Sequence, residues 1–438
     1  MKIRIIYIVI VLNYFFCTQL NAQHKIISND YTKALKNVTD VMVNDVTSPV
    51  AASRYYAYIN LASYETNTFF QNASYPSFSG TLNGFSIDKS KVLVDSFDTA
   101  LATILSLYIA GEKFLPSGFE MRKPIDSIKK EYAGNEYYNN SYLLARSIVE
   151  QVIAYSKLDG FTKLSGMQRY TPKPGLGFWK PTPPVFMASI EPNWGKLRTF
   201  LIDSSKQFKT PLPIAFDTAV SSKFYSLAKE VHDIGKHATK KQQEIAMFWD
   251  CNPFAVQQIG HVEFGLKKIS PGGHWLGIVG IACNTKKLSL TKTVLVHALL
   301  SVTLADAFIT CWQEKYTSDR VRPVTVIQYF FNPKWQPLLQ TPPFPEYVSG
   351  HSVASSAAAI VLTKIFGDGF AFTDNTEVEF GLPIRKFSSF NAAAKEASIS
   401  RLYGGIHFKD AIDNGIWLGD QVGLYINQNT SSYIKIFK

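Results

Sequence analysis

The sequence predicts an all-α protein built from helical bundles, and three observations support this fold class. Apolar residues make up 46% of the 438 residues and charged residues only 18%, so the chain can bury a large core. Apolar side chains recur at helical spacing along a series of long segments. Proline-rich stretches, at residues 172–192 and 332–348, separate some of these segments and are expected to be extended loops.

The predicted helices follow one another between residues 93 and 426. In order, they span Leu93–Phe114, Tyr142–Tyr155, Phe216–His237, Gln242–Asp250, Thr291–Tyr316, Ser352–Phe366, Phe390–Tyr403 and Asp410–Ile426. The sequence contains no CxxC, HExxH, phosphate-binding glycine loop or GxSxG motif. The common metal, nucleotide and serine-hydrolase sites therefore have no sequence support, and four cysteines are too few for a disulfide scaffold.

The first 22 residues have the pattern of a secretory signal peptide. Lys2 and Arg4 precede an apolar run over residues 5–16, and the small residue Ala22 ends the segment. The alternative is an N-terminal membrane anchor, but the run is shorter than the ~20 apolar residues that a transmembrane helix needs. We therefore expect a secreted or periplasmic protein.

The remaining chain is divided into an N-terminal helical region, residues 23–289, and a helical core, residues 290–428. The longest apolar stretch of this core includes Lys292, His297 and Asp306, so no membrane span is expected after signal cleavage. The net charge of +11 suits an anionic partner, but the basic residues are dispersed and do not indicate nucleic-acid binding. A homo-oligomer is compatible with this sequence.

The inward faces of three helices in the core end in basic residues. These faces consist of Ala298, Val302, Ala305, Ile309 and Trp312; of Phe390, Ala394 and Ala397; and of Ala411, Gly415, Leu418 and Val422. Lys315 and Arg401 occupy the next positions on the first two faces, and His407 lies one turn before the third. A single lysine at such a place usually extends its amine back to water. Three basic residues with few carboxylates nearby in the sequence instead favour a bound anion.

Two further segments extend this anion site. Arg322 follows Lys315 by seven residues and is expected just beyond the helix end, because Pro323 interrupts the helix. Ser349-Gly350-His351 opens another helix, where serine is a favoured N-cap and glycine lets an anion approach the backbone N–H groups. Together these residues predict a pocket for a tetrahedral oxyanion.

The same residues match three motifs of a known superfamily. The segment 315–323 (KYTSDRVRP) resembles the K-x6-R-P motif of the type 2 phosphatidic acid phosphatase and vanadium haloperoxidase superfamily. The segment 345–351 resembles its P-x3-S-G-H motif, and the segment 400–410 (SRLYGGIHFKD) resembles its S-R-x5-H-x3-D motif. The resemblance covers residues 290–425 and implies the helical-bundle fold of this superfamily.

The resemblance also implies a role for each residue of the pocket. The oxygens of vanadate or phosphate would be held by Lys315, Arg322, Ser349, Gly350 and Arg401. His407 would bind the vanadium or phosphorus atom, His351 would act as acid or base, and Lys315 would polarise bound peroxide. The aspartate of the motif lies four residues after the histidine, a position that is Ala411 here. Asp410, one residue earlier, could orient His407 or could lie at the solvated surface.

The superfamily's peroxidases and phosphatases share this pocket, and three features favour the peroxidase. The chain is longer than a small secreted acid phosphatase needs, and it lacks the transmembrane helices of the lipid phosphatases. Trp312 and Phe344 resemble residues that line the halide side of the haloperoxidase pocket, although either could simply pack in the core. The sequence is interpreted as a vanadium-dependent haloperoxidase that binds vanadate and uses hydrogen peroxide to oxidise iodide or bromide to hypohalous acid.

Two alternative functions remain open. A secreted acid phosphatase would use the same pocket, with phosphate in place of vanadate and a phosphohistidine at His407. A non-catalytic oxyanion-binding protein would keep the pocket but would have lost the reaction. The absence of the motif's aspartate at position 411 is the feature that supports this alternative.

Overall fold

The computed structural model describes residues 26–71, 74–259 and 262–438 of the chain. The expected signal peptide at residues 1–22 lies outside these residues. Among the described residues helices dominate and strands are few and short, which confirms the predicted all-α class.

The N-terminal half contains eight of the α-helices in the described ranges. They are α1 (Ser28–Asn44), α2 (Pro49–Asn67), α3 (Thr99–Phe114), α4 (Arg122–Glu131), α5 (Tyr138–Ser156), α6 (Phe161–Leu164), α7 (Lys223–His237) and α8 (Lys240–Phe248). Short 3-10 turns occur at Lys89–Lys91, Gly118–Met121 and Trp194–Lys196. The proline-rich stretch at residues 172–192 contains no helix, as predicted.

Helix α2 is the centre of the N-terminal half, and all of its residues are buried. The Ser48 hydroxyl caps it by accepting a hydrogen bond from the Ala51 backbone N–H (3.2 Å), and Pro49 occupies the first helical position. No amphipathic pattern predicts this helix from the sequence, because a helix buried on all sides has no polar face opposite an apolar one.

Helices α3 and α7 begin several residues later than predicted, because polar side chains cap them there. Asp98 accepts a hydrogen bond from the Leu101 N–H at the start of α3 (2.9 Å). Ser222 accepts one from the Tyr225 N–H at the start of α7 (3.0 Å). In both cases the apolar periodicity continues past the capped end into the preceding loop.

The C-terminal half follows with seven more α-helices. They are α9 (Pro271–Thr285), α10 (Leu290–Ser318), α11 (Pro323–Phe330), α12 (Gly350–Phe366), α13 (Phe390–Tyr403), α14 (Lys409–Asn429) and α15 (Ser431–Ile434), with 3-10 turns at Val378–Phe380 and Lys435–Phe437. Two short antiparallel hairpins accompany them. Strand β1 (Val256–Ile259) pairs with β2 (Val262–Gly265), and β3 (Phe372–Asp374) pairs with β4 (Arg385–Phe387), with Phe372 opposite Phe387.

Helix α10 joins the two halves of the protein. It packs against α2 on one side and against α9, α12 and α14 on others. It is the one helix in the described part of the chain with the length and apolar composition to cross a membrane, but its most apolar segment is entirely buried inside the protein. One apolar cluster runs through both halves, so the division at residue 289 remains a prediction.

Helices α12 and α14 approach each other so closely that glycine is required on α14. A Cβ atom at Gly419 would lie 2.4 Å from the Val353 carbonyl oxygen, and one at Gly415 would lie 2.9 Å from the Ser349 carbonyl oxygen. This contact fixes the start of α12 against the start of α14. Both helix starts carry residues that are predicted to form the oxyanion pocket.

Candidate active site

The basic residues at the ends of the helical stripes meet in one buried region. Lys315 lies in the last turn of α10, Arg322 precedes α11, Arg401 lies in the last turn of α13, and His407 precedes α14. All four side chains are 3% exposed or less. Ser349, also buried, caps α12 by accepting a hydrogen bond from the Ser352 N–H (3.3 Å).

Backbone carbonyl oxygens surround the Lys315 ammonium. Its Nζ donates hydrogen bonds to the carbonyls of Pro345 (3.1 Å), Glu346 (3.2 Å) and Val348 (2.6 Å). Burial lowers the pKa of Lys315 to about 7, and the nearby Arg322 acts in the same direction, while Cys311 and Glu346 oppose them. The proline-rich loop at residues 332–348 thus surrounds the Lys315 ammonium with carbonyl dipoles and does not place a carboxylate against it.

The Arg322 guanidinium also lacks a carboxylate partner among the described residues. Its Nε donates to the Phe344 carbonyl and its Nη1 to the Ile406 carbonyl, each at 2.9 Å. Nη2 is buried and makes no hydrogen bond within the described part of the chain. Burial lowers the pKa of Arg322 to about 10, so the group keeps its charge at neutral pH. An anion would compensate both the charge and the unused donor.

Arg401 is held mainly by neutral acceptors. Its Nε donates to the Ser400 hydroxyl (2.9 Å) and its Nη2 to the Ala246 carbonyl (3.2 Å). The Asp250 carboxylate is 3.9 Å from Nη1, which is too far for a hydrogen bond. Arg401 lines the same cavity as Gly350, His351 and His407.

His407 is oriented by Glu346. Its Nδ1 lies 2.9 Å from Glu346 Oε1, and because a carboxylate only accepts, Nδ1 carries the proton. Burial, reinforced by Arg322 and Lys315, holds the pKa of His407 well below its usual range. The neutral ring therefore keeps a lone pair on Nε2, which lies 3.3 Å from Arg322 Nη1.

Asp410 does not contact His407 directly, because this carboxylate is bound to Arg320. Its two oxygens accept hydrogen bonds from Arg320 Nη1 (2.6 Å) and Nη2 (2.8 Å). Arg320 Nε in turn donates to Glu346 Oε2 (2.7 Å). Asp410 thus reaches His407 only through Arg320 and Glu346, and Glu346 makes the direct contact.

His351 faces the same cavity with a free ring nitrogen. Its Nε2 is buried and has no hydrogen-bond partner among the residues the structure describes. Burial, together with Arg401 and His407, holds the pKa of His351 well below its usual range. The ring is therefore neutral and can accept a proton from a molecule in the cavity.

Two aromatic rings form the wall nearest to Lys315. The ring centroids of Trp312 and Phe344 are 4.8 Å apart, and Lys315 Nζ lies 5.8 Å and 5.1 Å from them. Both residues line the cavity that contains Gly350 and His407. The structure thus brings all the residues assigned to the pocket into one region, except Asp410.

Four residues of the site were not predicted from the sequence. Glu346 and Arg320 belong to the charge network around His407, and Cys251 and Asn252 line the cavity from outside the motifs. A signal for Glu346 existed. It is the only acidic residue in the loop at residues 332–348, and it sits directly after the proline of the P-x3-S-G-H motif. Cys251 and Asn252 carry no comparable signal, because they reach the cavity through the packing of α8 against α13.

Comparisons with known proteins agree with this geometry. Residues 295–435 match the model of the VCPO second helical-bundle domain. A solved structure described as the first bacterial vanadium-dependent iodoperoxidase is 38% identical, with a TM-score of 0.85, covering 93% of this chain and 97% of the other. This chain belongs to the vanadium haloperoxidase family.

More distant members of the vanadium haloperoxidase family share the fold. A holo-type bacterial vanadium-dependent chloroperoxidase is 15% identical with a TM-score of 0.67, and it covers 89% of this chain and 93% of the other. Its apo-type counterpart gives a TM-score of 0.66 at the same identity and covers 89% and 95% of the two chains. No match was found among curated proteins.

Proposed function

We propose that this protein is a vanadate-dependent peroxidase that uses hydrogen peroxide to oxidise halide, with iodide as the preferred substrate. One observation supports the vanadate site on which the proposal rests. The unprotonated Nε2 of His407 and the unused Nη2 donor of Arg322 belong to one buried site in which Lys315 and Arg322 lack a carboxylate partner among the described residues. Such a site suits a tetrahedral oxyanion that also needs one nitrogen ligand.

The residues present fit vanadate. His407 Nε2 would be its protein ligand, and its oxygens would be held by Arg322, Ser349, Gly350 and Arg401. Lys315 would contribute its charge, and it would hold an oxygen directly by exchanging one of its three bonds to carbonyls for a bond to vanadate. A Cβ atom at Gly350 would lie 3.9 Å from Lys315 Cε, so a side chain there would not clash with the protein. The absence of a side chain instead leaves space for a ligand next to the Gly350 backbone. Glu346 would keep the proton on Nδ1 of His407 and thereby leave Nε2 free.

Bound vanadate supplies Lewis-acid activation of hydrogen peroxide without changing its own oxidation state. The chain's own residues would handle charge and protons. The buried cations would compensate the anionic oxygens, and the free Nε2 of His351 would accept a proton from peroxide as it enters. Oxidation of a halide ion by peroxide consumes one proton and yields hypohalous acid and water. Trp312 and Phe344 would exclude bulk water from the halide side.

The choice of peroxidase over phosphatase rests on the 38% identity to a bacterial iodoperoxidase and on the aromatic wall beside Lys315. A peroxidase needs vanadate in the pocket, whereas a phosphatase needs His407 as a free nucleophile and should be inhibited by vanadate. We expect the chelator-treated protein to be inactive, and added vanadate to restore peroxide-dependent iodide oxidation. Excess phosphate should compete.

Variants separate the roles within the pocket. His407→Ala should abolish the recovery by vanadate, whereas His351→Ala should keep bound vanadate and lose most of the turnover. His237→Ala, which changes an exposed histidine at the end of α7, is the matched control. Strong hydrolysis of a phosphate monoester that vanadate suppresses, with no halide oxidation, would establish the phosphatase instead.

Export is a separate proposal, supported by Lys2 and Arg4 before the apolar run and by Ala22 at its end. Mass spectrometry of the secreted or periplasmic protein should find a mature N-terminus at or near Gln23. Intact Met1 on membrane-bound material would contradict it.

A further inference from the structure

A buried cluster of metal-ligating side chains lies beside the oxyanion pocket. It consists of Cys251, His274 and Glu377, which are 2%, 0% and 4% exposed and whose ligand atoms all lie within 4.8 Å of one another. We propose that this cluster is a second metal site, for a divalent cation of the zinc type, distinct from the vanadate pocket. The proposal does not depend on the reaction that the pocket catalyses.

The donor set suits zinc. A thiolate, an imidazole nitrogen and a carboxylate oxygen are its usual protein ligands, and a fourth position can be taken by water. Cys251 Sγ lies 3.5 Å from His274 Nδ1, and Glu377 Oε1 lies 3.0 Å from the same nitrogen. Bonds of ~2.0–2.3 Å at tetrahedral angles place ligand atoms roughly 3.3–3.7 Å apart. The two separations from His274 Nδ1 are close to this range, and the third, between Cys251 Sγ and the Glu377 carboxylate, is at most 4.8 Å.

His274 is already oriented for coordination. Its Nε2 lies 2.8 Å from Asp374 Oδ2, and the other oxygen of Asp374 accepts hydrogen bonds from the Thr376 N–H (3.0 Å) and hydroxyl (2.7 Å). Because carboxylates accept, Nε2 carries a proton toward Asp374, and Nδ1 carries one toward Glu377 in the metal-free protein. A cation bound between Cys251 and Glu377 would displace this second proton and take its place on Nδ1. A carboxylate behind a ligating histidine is the usual arrangement at zinc sites.

Glu377 supplies an independent indication of a ligand. Its Oε1 is buried, and its contact with His274 Nδ1 (3.0 Å) is an ion pair without the geometry of a hydrogen bond. A buried carboxylate oxygen without a hydrogen bond is costly, and a cation between it and His274 would compensate it better. A surface groove lined by Asp250, Lys268 and Glu377 gives a cation a path to this position from solvent.

The cluster ties three separate segments together at the edge of the vanadate pocket. Cys251 follows α8, His274 lies in the first turn of α9, and Glu377 lies in the connection between β3 and β4. Cys251 also lines the pocket itself, next to Arg401. Binding would displace the proton of the Cys251 thiol and any proton on His274 Nδ1, and it would fix this wall of the pocket.

The test uses the full chain, freed of metal with a chelator and handled without vanadate. Dialysis against Zn²⁺ should leave one equivalent per chain by plasma mass spectrometry. Dialysis against Co²⁺ should produce a cobalt–thiolate charge-transfer band in the near ultraviolet. This band in the unmodified protein tests the site without any variant. Less than stoichiometric metal, or bound cobalt without the band, would overturn the proposal.

Variants then locate the ligands. Cys251→Ser should remove the band, while Cys283→Ser, a change at another buried free thiol on α9, should keep it. Asp374→Asn should weaken Zn²⁺ binding 10- to 100-fold, as loss of a partner behind a ligating histidine typically does. Circular dichroism checks that each variant folds. If the folded Cys251→Ser protein keeps the band, another cysteine binds cobalt and the assignment is wrong.

Discussion

Arg54 in the N-terminal half and Arg322 in the active site are both buried arginines, but they are neutralised in different ways. Arg54 Nε donates to Asp159 Oδ2 (2.6 Å), the same oxygen accepts from the Tyr58 hydroxyl (2.9 Å), and the guanidinium lies 4.3 Å from the Phe161 ring centroid. Arg322 contacts two carbonyls and one imidazole nitrogen. The first charge is part of the folded structure, and the second is available to a ligand.

The same contrast recurs within the site, two residues apart. Arg320 pairs with both Glu346 and Asp410, whereas Arg322 has no salt bridge in the described ranges. Basic residues alone therefore do not mark an anion pocket. The difference lies in which of them the fold leaves without a carboxylate, and the following experiments test that distinction.

The largest expected effect on stability is at the paired arginine. Arg54→Ala leaves Asp159 buried without its cation, which should lower the free energy of unfolding by about 3–5 kcal/mol. Urea unfolding followed by circular dichroism measures this. A loss below 1 kcal/mol would mean that Asp159 finds other partners and that pairing does not distinguish the two regions.

Arg322→Ala should behave in the opposite way. Vanadate binding should weaken by about 1.5–3 kcal/mol, the usual value of a hydrogen bond to a charged group. The vanadate-free protein should be as stable as before or more stable, because the change removes an uncompensated buried charge. Equilibrium dialysis gives the affinity and thermal melts give the stability. Reduced stability without vanadate would show that Arg322 is structural, as Arg54 is.

Because Lys315 has no carboxylate partner among the described residues, its charge should make the stability of the vanadate-free protein depend on pH. Its pKa falls from 10.5 in the unfolded chain to about 7 in the folded protein, so between these values the unfolded state binds more protons and stability rises with pH. Lys315→Met should therefore stabilise the vanadate-free protein most below pH ~7, and this gain should shrink by about 1.4 kcal/mol per pH unit above it. Melts at several pH values test this, with exposed Lys364→Met as control. A gain independent of pH would contradict it.

The smallest effect on the free energy of unfolding is expected for a solvent-exposed ion pair. Arg146 and Glu150 are paired on the surface of α5, with both side chains 60% exposed. Arg146→Ala should change stability by less than about 0.5 kcal/mol. A much larger loss in urea unfolding would mean that solvent exposure is a poor guide to the value of charge pairs in this protein.

Much of the fold and part of the site could be predicted from the sequence, because both depend on the spacing of residues within single helices. Stripes of apolar residues give helices such as Phe390–Tyr403, whose observed bounds match the predicted ones. The same stripes lead to Lys315 and Arg401, since a basic residue at the end of a buried face is visible without knowing the fold.

The rest depends on contacts between distant segments. Glu346 contacts His407 across 61 residues. Its place directly after the motif proline distinguishes it within its loop, but no local pattern shows that it reaches His407. Asp410 was the nearest candidate in sequence, but it faces Arg320 instead. Helix α2 could not be predicted for a related reason. It is buried on all sides by other segments, so its own sequence shows no amphipathic pattern.

Helix α10 has a consequence for handling the protein in the laboratory. The helix carries Lys315 at one end, while Asn60 of α2 donates to its Ser301 (3.0 Å) and its Asp306 accepts from the backbone N–H groups of residues 200–202. A fragment that begins at residue 290 would contain every pocket motif. It would, however, expose the face of α10 that α2 covers, and Asp306 would lose the N–H groups of residues 200–202 that donate to it. Such a fragment should aggregate on expression, and the pocket is best studied in the full-length chain.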